Sequence, residues 1–317
     1  MTLTYVFRRV LEMIPLLFGV SLILFGVLHL APGGPLDVYA DNPSVSQEAL
    51  AQMKTAFGLD KPLPVQYADW LSSFARGQWG YSLRTGRPAL QDALERVPAT
   101  LTLGGSAFAL ALILAVPLGV LSATHRRGSL DYGATLFSFL GISMPVFWLA
   151  LMLQLLFAVR LRWLPSAGMN EIGNGSLLDL LRHLLMPMLV LAVASVAGWS
   201  RYIRGSMIDV LGQDYVRTAR AKGLRERSVV YRHAMRNALV PVVTVIALDF
   251  AGLLSGAVIT ETIFAWPGLG RLFIESMDGR DYPVLMGLMM LGSLALVFTN
   301  FLTDLLYAAI DPRIRYD

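Results

Sequence analysis

Leu101-Thr-Leu-Gly-Gly-Ser-Ala-Phe-Ala-Leu-Ala-Leu-Ile-Leu-Ala-Val-Pro-Leu-Gly-Val-Leu-Ser-Ala123 carries no charged residue from end to end. A helix needs about 20 mostly apolar residues to cross the ~30 Å hydrocarbon core of a bilayer, and this run is that long. Five more mostly apolar runs extend from Val10 to Ala31, Tyr132 to Val159, Leu184 to Trp199, Leu239 to Thr260 and Val284 to Ile310. Leu184 to Trp199 is the shortest, and the last run contains Asp304. Together they predict an all-α integral membrane protein with about six transmembrane helices. Composition agrees, since 55% of the 317 residues are hydrophobic and only 15% charged, well below the charge of a soluble domain.

Several function classes drop out on composition. Cysteine is absent, which removes disulfides, thiolate nucleophiles and cysteine metal sites. The four histidines are scattered, with no His-x-x-x-His or Glu-x-x-His pair of the kind that holds metal inside a helical bundle. No Gly-x-x-x-x-Gly-Lys-Ser/Thr loop occurs, so the chain is expected to bind no ATP itself and to hold no cofactor. Gly268-Leu-Gly270 lacks the third glycine of a dinucleotide turn, and Trp266-Pro-Gly-Leu-Gly reads as a rigid interfacial turn.

Charge placement gives an orientation. Arg8, Arg9, Arg126, Arg127, the dense group from Arg201 to Arg236, Arg313 and Arg315 fall in one set of short segments. The alternate set, 32–98, 160–182 and 264–283, dilutes its basic residues with carboxylates such as Asp37, Asp69, Glu171 and Glu275. By the positive-inside rule both termini are expected in the cytoplasm of a multi-pass protein of the cytoplasmic (inner) membrane, which also makes the net charge of +4 a matter of topology and lipid rather than nucleic acid. The first run follows two arginines as a signal peptide would, but its apolar stretch is too long and no Ala-x-Ala site follows, so it is read as a retained helix.

The extracytoplasmic segment 32–98 is patterned. Ser44 with Gln47 can form a capping box, Leu50, Met53 and Phe57 share a face, and Gly58 followed by Pro62 supplies a stop. Tyr67, Trp70, Leu71 and Phe74 then repeat at helical spacing, which predicts a small helical cap or an amphipathic segment lying on headgroups.

Between the fourth and fifth spans, 205–238 is too long and too patterned for a connector. Asp214-Tyr-Val-Arg-Thr-Ala-Arg-Ala-Lys-Gly223 predicts a short helix ended by glycine, with a second helix after it. Ala219 and Ala221 are small enough to let another surface approach. The alternative is that its arginines only fix topology and touch lipid phosphate.

Thr218-Ala-Arg-Ala-Lys-Gly223 resembles the cytoplasmic Glu-Ala-Ala loop of ABC-importer permeases, in the branch that carries dipeptides, oligopeptides, nickel or glutathione. The likeness extends through Ala31-Pro-Gly-Gly-Pro35, Gly58-Leu-Asp-Lys-Pro62, Gln66-Tyr67, Gly80-Tyr-Ser82, Ile142-Ser-Met-Pro-Val-Phe147, Thr260-Glu-Thr-Ile-Phe-Ala-Trp-Pro-Gly-Leu-Gly-Arg271, Arg280-Asp-Tyr-Pro283 and Asp311-Pro-Arg-Ile-Arg315, essentially the whole chain. Arg217 stands where the wider pattern has Glu, His233-Ala-Met-Arg236 where it has Ile-x-Leu-Pro, and Gly34 where Asp is usual; the first two are common in the peptide branch. The resemblance implies a type I ABC importer (MetI-like) permease fold occupying 1–317 as one domain. It also implies partners: a homologous second permease subunit, two ABC ATPase subunits or domains that supply ATP and Mg, an extracytoplasmic solute-binding protein and membrane lipid. By the same resemblance the ATPase-coupling residues are Asp214, Tyr215, Arg217, Thr218, Ala219, Ala221, Lys222 and Gly223.

Two carboxylates are candidates for the translocation path. Asp249, near the middle of the fifth span, either lines the path or bonds to a neighbouring helix, since a lone charge there is expensive. Glu261 lies near the outer end of that span, where a plain interfacial position also explains it. Gly252-Leu-Leu-Ser-Gly256 is a small-xxx-small pattern for close helix packing, and prolines 15, 117, 145, 187 and 241 can bend their helices. The competing function is an ion-coupled secondary transporter using Asp249, against which stands the lack of inverted halves. No Ser/His, Asp/Asp or metal constellation supports an intramembrane enzyme.

Overall fold

The computed structural model describes residues 3–30, 36, 46–56, 58–173, 175–254 and 257–310. The first apolar run forms α1 (Leu3–Leu30). Two short helices follow, α2 (Gln47–Ala56) and α3 (Leu63–Ala75), as the period of the segment predicts. Ser46 Oγ accepts a backbone N–H of α2, from Ala49 at 3.1 Å; Ser44 of the expected capping box and Phe57 lie outside the described residues. Gly58, at φ +65°, ends α2 with its own N–H on Thr55 O and that of Leu59 on Lys54 O. Pro62 then sits at the N-cap of α3, so it starts a helix as well as following a stop.

α4 (Ala89–Thr124) and α7 (Leu177–Leu211) are the longest helices, at 36 and 35 residues, and their mutual packing is the most extensive in the fold. The expected third span does not run straight. Met144, forced into an extended conformation (φ −83°, ψ 121°) by the proline after it, separates α5 (Ser129–Ser143) from α6 (Val146–Leu153). α6 continues as a π-helical stretch, Gln154–Arg160, and the two halves meet at 102°. Pro145 therefore breaks its helix, whereas Pro15, Pro117, Pro187 and Pro241 stay inside theirs.

After α7 come α8 (Asp214–Ala221), one turn at Glu226–Ser228, a π-helical stretch Val229–Ala234 and α9 (Met235–Leu254). α10 (Val258–Ile263), α11 (Leu269–Asp278) and α12 (Tyr282–Ile310) complete the chain. Among the described residues four helices are long and apolar enough to cross a bilayer, and the bent pair α5–α6 makes a fifth if counted as one span. The remaining expected span falls on α9, 20 residues long, which runs up to residues 255 and 256, outside the described set, as is the rest of the Gly252–Gly256 pattern's packing.

α5, α9 and α12 surround the α4–α7 pair, and α1 packs on α12, where Arg9 pairs with Asp304 at 3.3 Å. The core follows from residue size. Ala111 and Ala115 on α4 make room for Trp199, Ile203 and Met207 of α7 and for Ala238, Val242 and Ile246 of α9. At Gly119 a Cβ would lie 2.6 Å from Ile203 Cβ, so the two longest helices cross where only glycine fits. The bundle has two ends. At the basic end α1 starts, α4 stops at Thr124 and α7 runs into α8; at the far end α3, α10 and α11 gather.

Candidate functional site

α7 ends at Leu211 and α8 begins three residues later, with Gln213 extended at its N-cap (φ −75°, ψ 151°). Two turns of helix leave α8 one apolar face, and it spends that face inward: Val216 and Ala219 are buried against Val210, Leu211 and Val229. Asp214, Arg217, Thr218 and Ala221 are exposed on the other side. Ala221 is thus available to an approaching surface, while Ala219 is used for the chain's own packing. The Asp214–Arg217 pair, at 3.6 Å with side chains 96% and 74% exposed, holds little.

Three contacts fix the elbow. Tyr215 Oη accepts a hydrogen bond from Asn237 Nδ2 at 2.9 Å, which ties α8 to the first turn of α9. Lys222 closes the helix, and Gly223, at φ +75°, turns the chain with its N–H on Arg220 O. Arg220 then reaches over that turn to Glu226, with Nη2 at 2.8 Å and Nε at 3.2 Å from its two oxygens. The guanidinium holds the Glu226 carboxyl below the ordinary carboxylate range and is itself held above its own. The result is a shaped, mostly basic elbow whose outer face is exposed among the described residues.

The two path candidates separate. Asp249 is exposed, and one of its oxygens accepts the Trp199 indole N–H at 2.6 Å, so it is bonded to a neighbouring helix and faces open space at once. Glu261 is fully buried and presents no atom to open space. Its carboxylate accepts Thr100 Oγ1 at 2.9 Å and the Arg271 N–H at 3.0 Å, capping α11 in its first turn. Gly268 is required beside it, since a Cβ there would come within 2.3 Å of the carboxylate. Trp266 lies completely inside, donating its indole N–H to Ala99 O at 2.8 Å, so the Trp-Pro-Gly turn is bolted to α4.

Two polar ties are not singled out by the sequence. Asp131, buried at the start of α5, takes both Nε and Nη2 of Arg204 at 2.6 and 2.8 Å, the Arg127 N–H at 2.9 Å, and the Ser122 hydroxyl. This joins α4, α5 and α7 just above the elbow. At the far end Asp281 accepts from the Ser82 hydroxyl and the Leu83 N–H, clamping 80–88 beside α12. Their only signal in the sequence is a charge next to a span end, which topology already explains. Among the described residues no group of His, Asp and Glu is arranged to hold a metal ion.

Comparison with known proteins accords with this architecture. Residues 115–316 match the family described as "Binding-protein-dependent transport system inner membrane component", and residues 2–104 its N-terminal counterpart. The chain is 42% identical to the oligopeptide transport system permease protein AppB of Bacillus subtilis (strain 168), over 98% of this chain and 99% of that one. It is 38% identical to the dipeptide transport system permease protein DppB of Escherichia coli (strain K12), covering 99% of each. The fold resembles that of the MetNI methionine ABC transporter in inward-facing conformations, with TM-score 0.55 and 17% identity over 69% of this chain and 95% of that one. The chain belongs to the family of binding-protein-dependent transport-system inner-membrane components, multi-pass membrane subunits of importers rather than enzymes.

Proposed function

We propose that the chain is the permease subunit of an ATP-driven importer for short peptides, working beside a homologous second permease, two ATPase subunits or domains that bind ATP and Mg, and an extracytoplasmic solute-binding protein. The observation that carries the reading is the elbow: α8 projects an exposed face from the end of the longest helix pair and is braced to α9. Both termini and 205–238 lie in the cytoplasm in this reading, and 32–98 lies outside. The two relatives quoted above are an oligopeptide and a dipeptide permease, which supports peptide as the cargo.

Mechanistically, closure of the ATPase pair pushes α8, and α7 carries the displacement into the bundle. Asp214, Arg217, Thr218, Ala221 and Lys222 meet the ATPase surface, while Tyr215, Ala219 and Gly223 keep the helix in place. The bundle then exchanges two arrangements, whose relative populations the ATPases and the loaded binding protein bias by differential contact. The test is reconstitution. Peptide uptake into vesicles is expected only with the ATPases, ATP and binding protein present, and to persist when ion gradients are collapsed. Uptake by this chain alone down an ion gradient would establish the secondary-transporter reading instead.

A further inference from the structure

Past the turn at Gly223, the second limb of the elbow opens a groove of about 410 Å³ lined by Arg225, Arg227, Ser228 and Tyr231. That volume falls in the roughly 300–1,000 Å³ range of small-molecule sites. Arg227 and Tyr231 are four residues apart and Ser228 and Tyr231 three, so their side chains share one face of the limb, and Arg225 stands at its N-cap. No carboxylate lines the groove. Glu226, the acid between the two arginines, is turned to Arg220, which engages both of its oxygens. Arg225 and Arg227 are exposed and make no ion pair among the described residues. The groove thus offers two guanidinium groups, an aliphatic hydroxyl and a phenol, with no anion of its own.

Its depth selects the chemistry that can meet these groups. Val230, in the middle of the limb, is buried in the same core cluster as Ala123, the last residue of the uncharged run of α4. That run ends where the hydrocarbon ends, so the groove lies at the level of the headgroups. Leu224 and Val240, which flank it along the chain, are apolar and 42% and 39% exposed. Tyrosine favours this level as well, with its ring at the apolar edge and its hydroxyl in the polar layer. The anion that a bilayer presents there is a phosphodiester, and guanidinium forks match phosphate oxygens two at a time.

We propose that this groove binds the headgroup of an anionic membrane lipid, with Arg225 and Arg227 on the phosphate oxygens and Ser228 and Tyr231 donating beside them. Basic residues next to a span also fix topology, but topology asks only for positive charge and needs neither a cavity nor hydroxyl donors. The four residues are separate from those assigned to the ATPase surface. The inference needs only the membrane placement of the chain, so it stands or falls apart from the importer reading.

The chain has no cysteine, so Leu224→Cys gives a single thiol next to Arg225. A fluorophore on that thiol, in the full chain reconstituted into phosphatidylcholine vesicles, is quenched by lipids that carry a nitroxide just below the headgroup. Nitroxide-labelled phosphatidylglycerol should quench at a mole fraction about tenfold or more below that of labelled phosphatidylcholine. Arg225→Gln and Arg227→Gln should each reduce that preference about fivefold. Arg8→Gln removes one charge from an exposed side chain at the same end of the bundle and should leave the preference unchanged. Equal quenching by the two lipids overturns the proposal, and so do equal losses from Arg8→Gln and the groove variants, which would mean diffuse attraction. Inorganic phosphate should weaken the preference no more than chloride at the same ionic strength. A specific effect of phosphate would assign the groove to a soluble phosphorylated ligand, and loss of the preference once ATPase subunits are bound would assign it to their surface; either overturns the lipid assignment.

Discussion

Asp131 shows how much one buried carboxylate can organise. It is 4% exposed and receives four donors from two helices and the turn that leads into its own, so its charge is compensated where it sits. Removing one partner of such a pair leaves an uncompensated charge, which costs about 3–5 kcal/mol in a buried site. Asp131→Asn should therefore destabilise the chain by about 3 kcal/mol, near the low end because Arg204 keeps some solvent, and Ser122→Ala by about 1 kcal/mol. Arg217→Gln, on an exposed pair, should stay within about 0.5 kcal/mol of wild type. Thermal unfolding of the detergent-purified chain measures all three, and equal midpoints for the Asp131 and Arg217 variants would remove the clamp. The clamp is illegible in the sequence because its partners are 73 residues apart and each is accounted for by the positive-inside pattern. Glu261 is obscured for a related reason: its partners, Thr100 and the backbone of Arg271, reach it only after the far-end turn has folded back onto α4.

Among elements, α2, α3 and α8 are legible because each is short, periodic and punctuated by glycine or proline, so local chemistry decides them. The α5–α6 break was readable in principle from Met144-Pro145, but an unbroken apolar run conceals it, since hydropathy carries no information on direction. At the elbow, geometry sharpens what Gly223 does. A Cβ there meets nothing within 4 Å, yet the residue sits at φ +75°, so the penalty for any side chain is conformational and not steric. Left-handed backbone costs a non-glycine residue about 1–2 kcal/mol. Gly223→Ala and Gly223→Val are thus expected to weaken co-purification with the ATPases to a similar degree while membrane insertion survives. A normal Ala variant with a defective Val variant would mean that bulk at a docking surface matters and backbone strain does not. The Arg220–Glu226 brace adds a pH signature. The folded Glu226 carboxyl is held below its ordinary value, so its contribution is complete at neutral pH and is lost as pH falls through that lowered value. Hydrogen exchange across 219–228, corrected for the intrinsic rate, should be unchanged between pH 8 and 6 and faster below about pH 4, with Glu226→Gln already fast at neutral pH.

At the scale of the molecule, α4 and α7 form a spine tied at both ends and lightly filled between. Thr100 with Glu261 and Ala99 with Trp266 anchor α4 at the far end, and Ser122 with Asp131 and Arg204 joins it to α7 at the basic end. The middle is a seam of Ala107, Ala111, Ala115 and Gly119, all buried. Because α7 passes almost directly into α8, displacement of the elbow must either slide this seam or carry both helices as one body. Close packing of small residues against Ile203 and the Ser200 carbonyl resists sliding, which favours rigid-body motion of the pair. Forcing the seam open tests that. Gly119→Val would place atoms inside Ile203 and Ser200 O, at 2.6 and 2.9 Å from the first added carbon alone. Overpacking of this kind costs about 1–3 kcal/mol and separates the helices, so both thermal stability and ATP-driven uptake should fall. Gly105, on the same helix with nothing within 4 Å of an added Cβ, provides the control. Gly105→Ala should match or slightly exceed wild-type stability through the better helix propensity of alanine, with uptake intact. Matching behaviour of the two variants would show that the spine is loosely packed, and the elbow's displacement would then have to reach the cargo path through α9 instead.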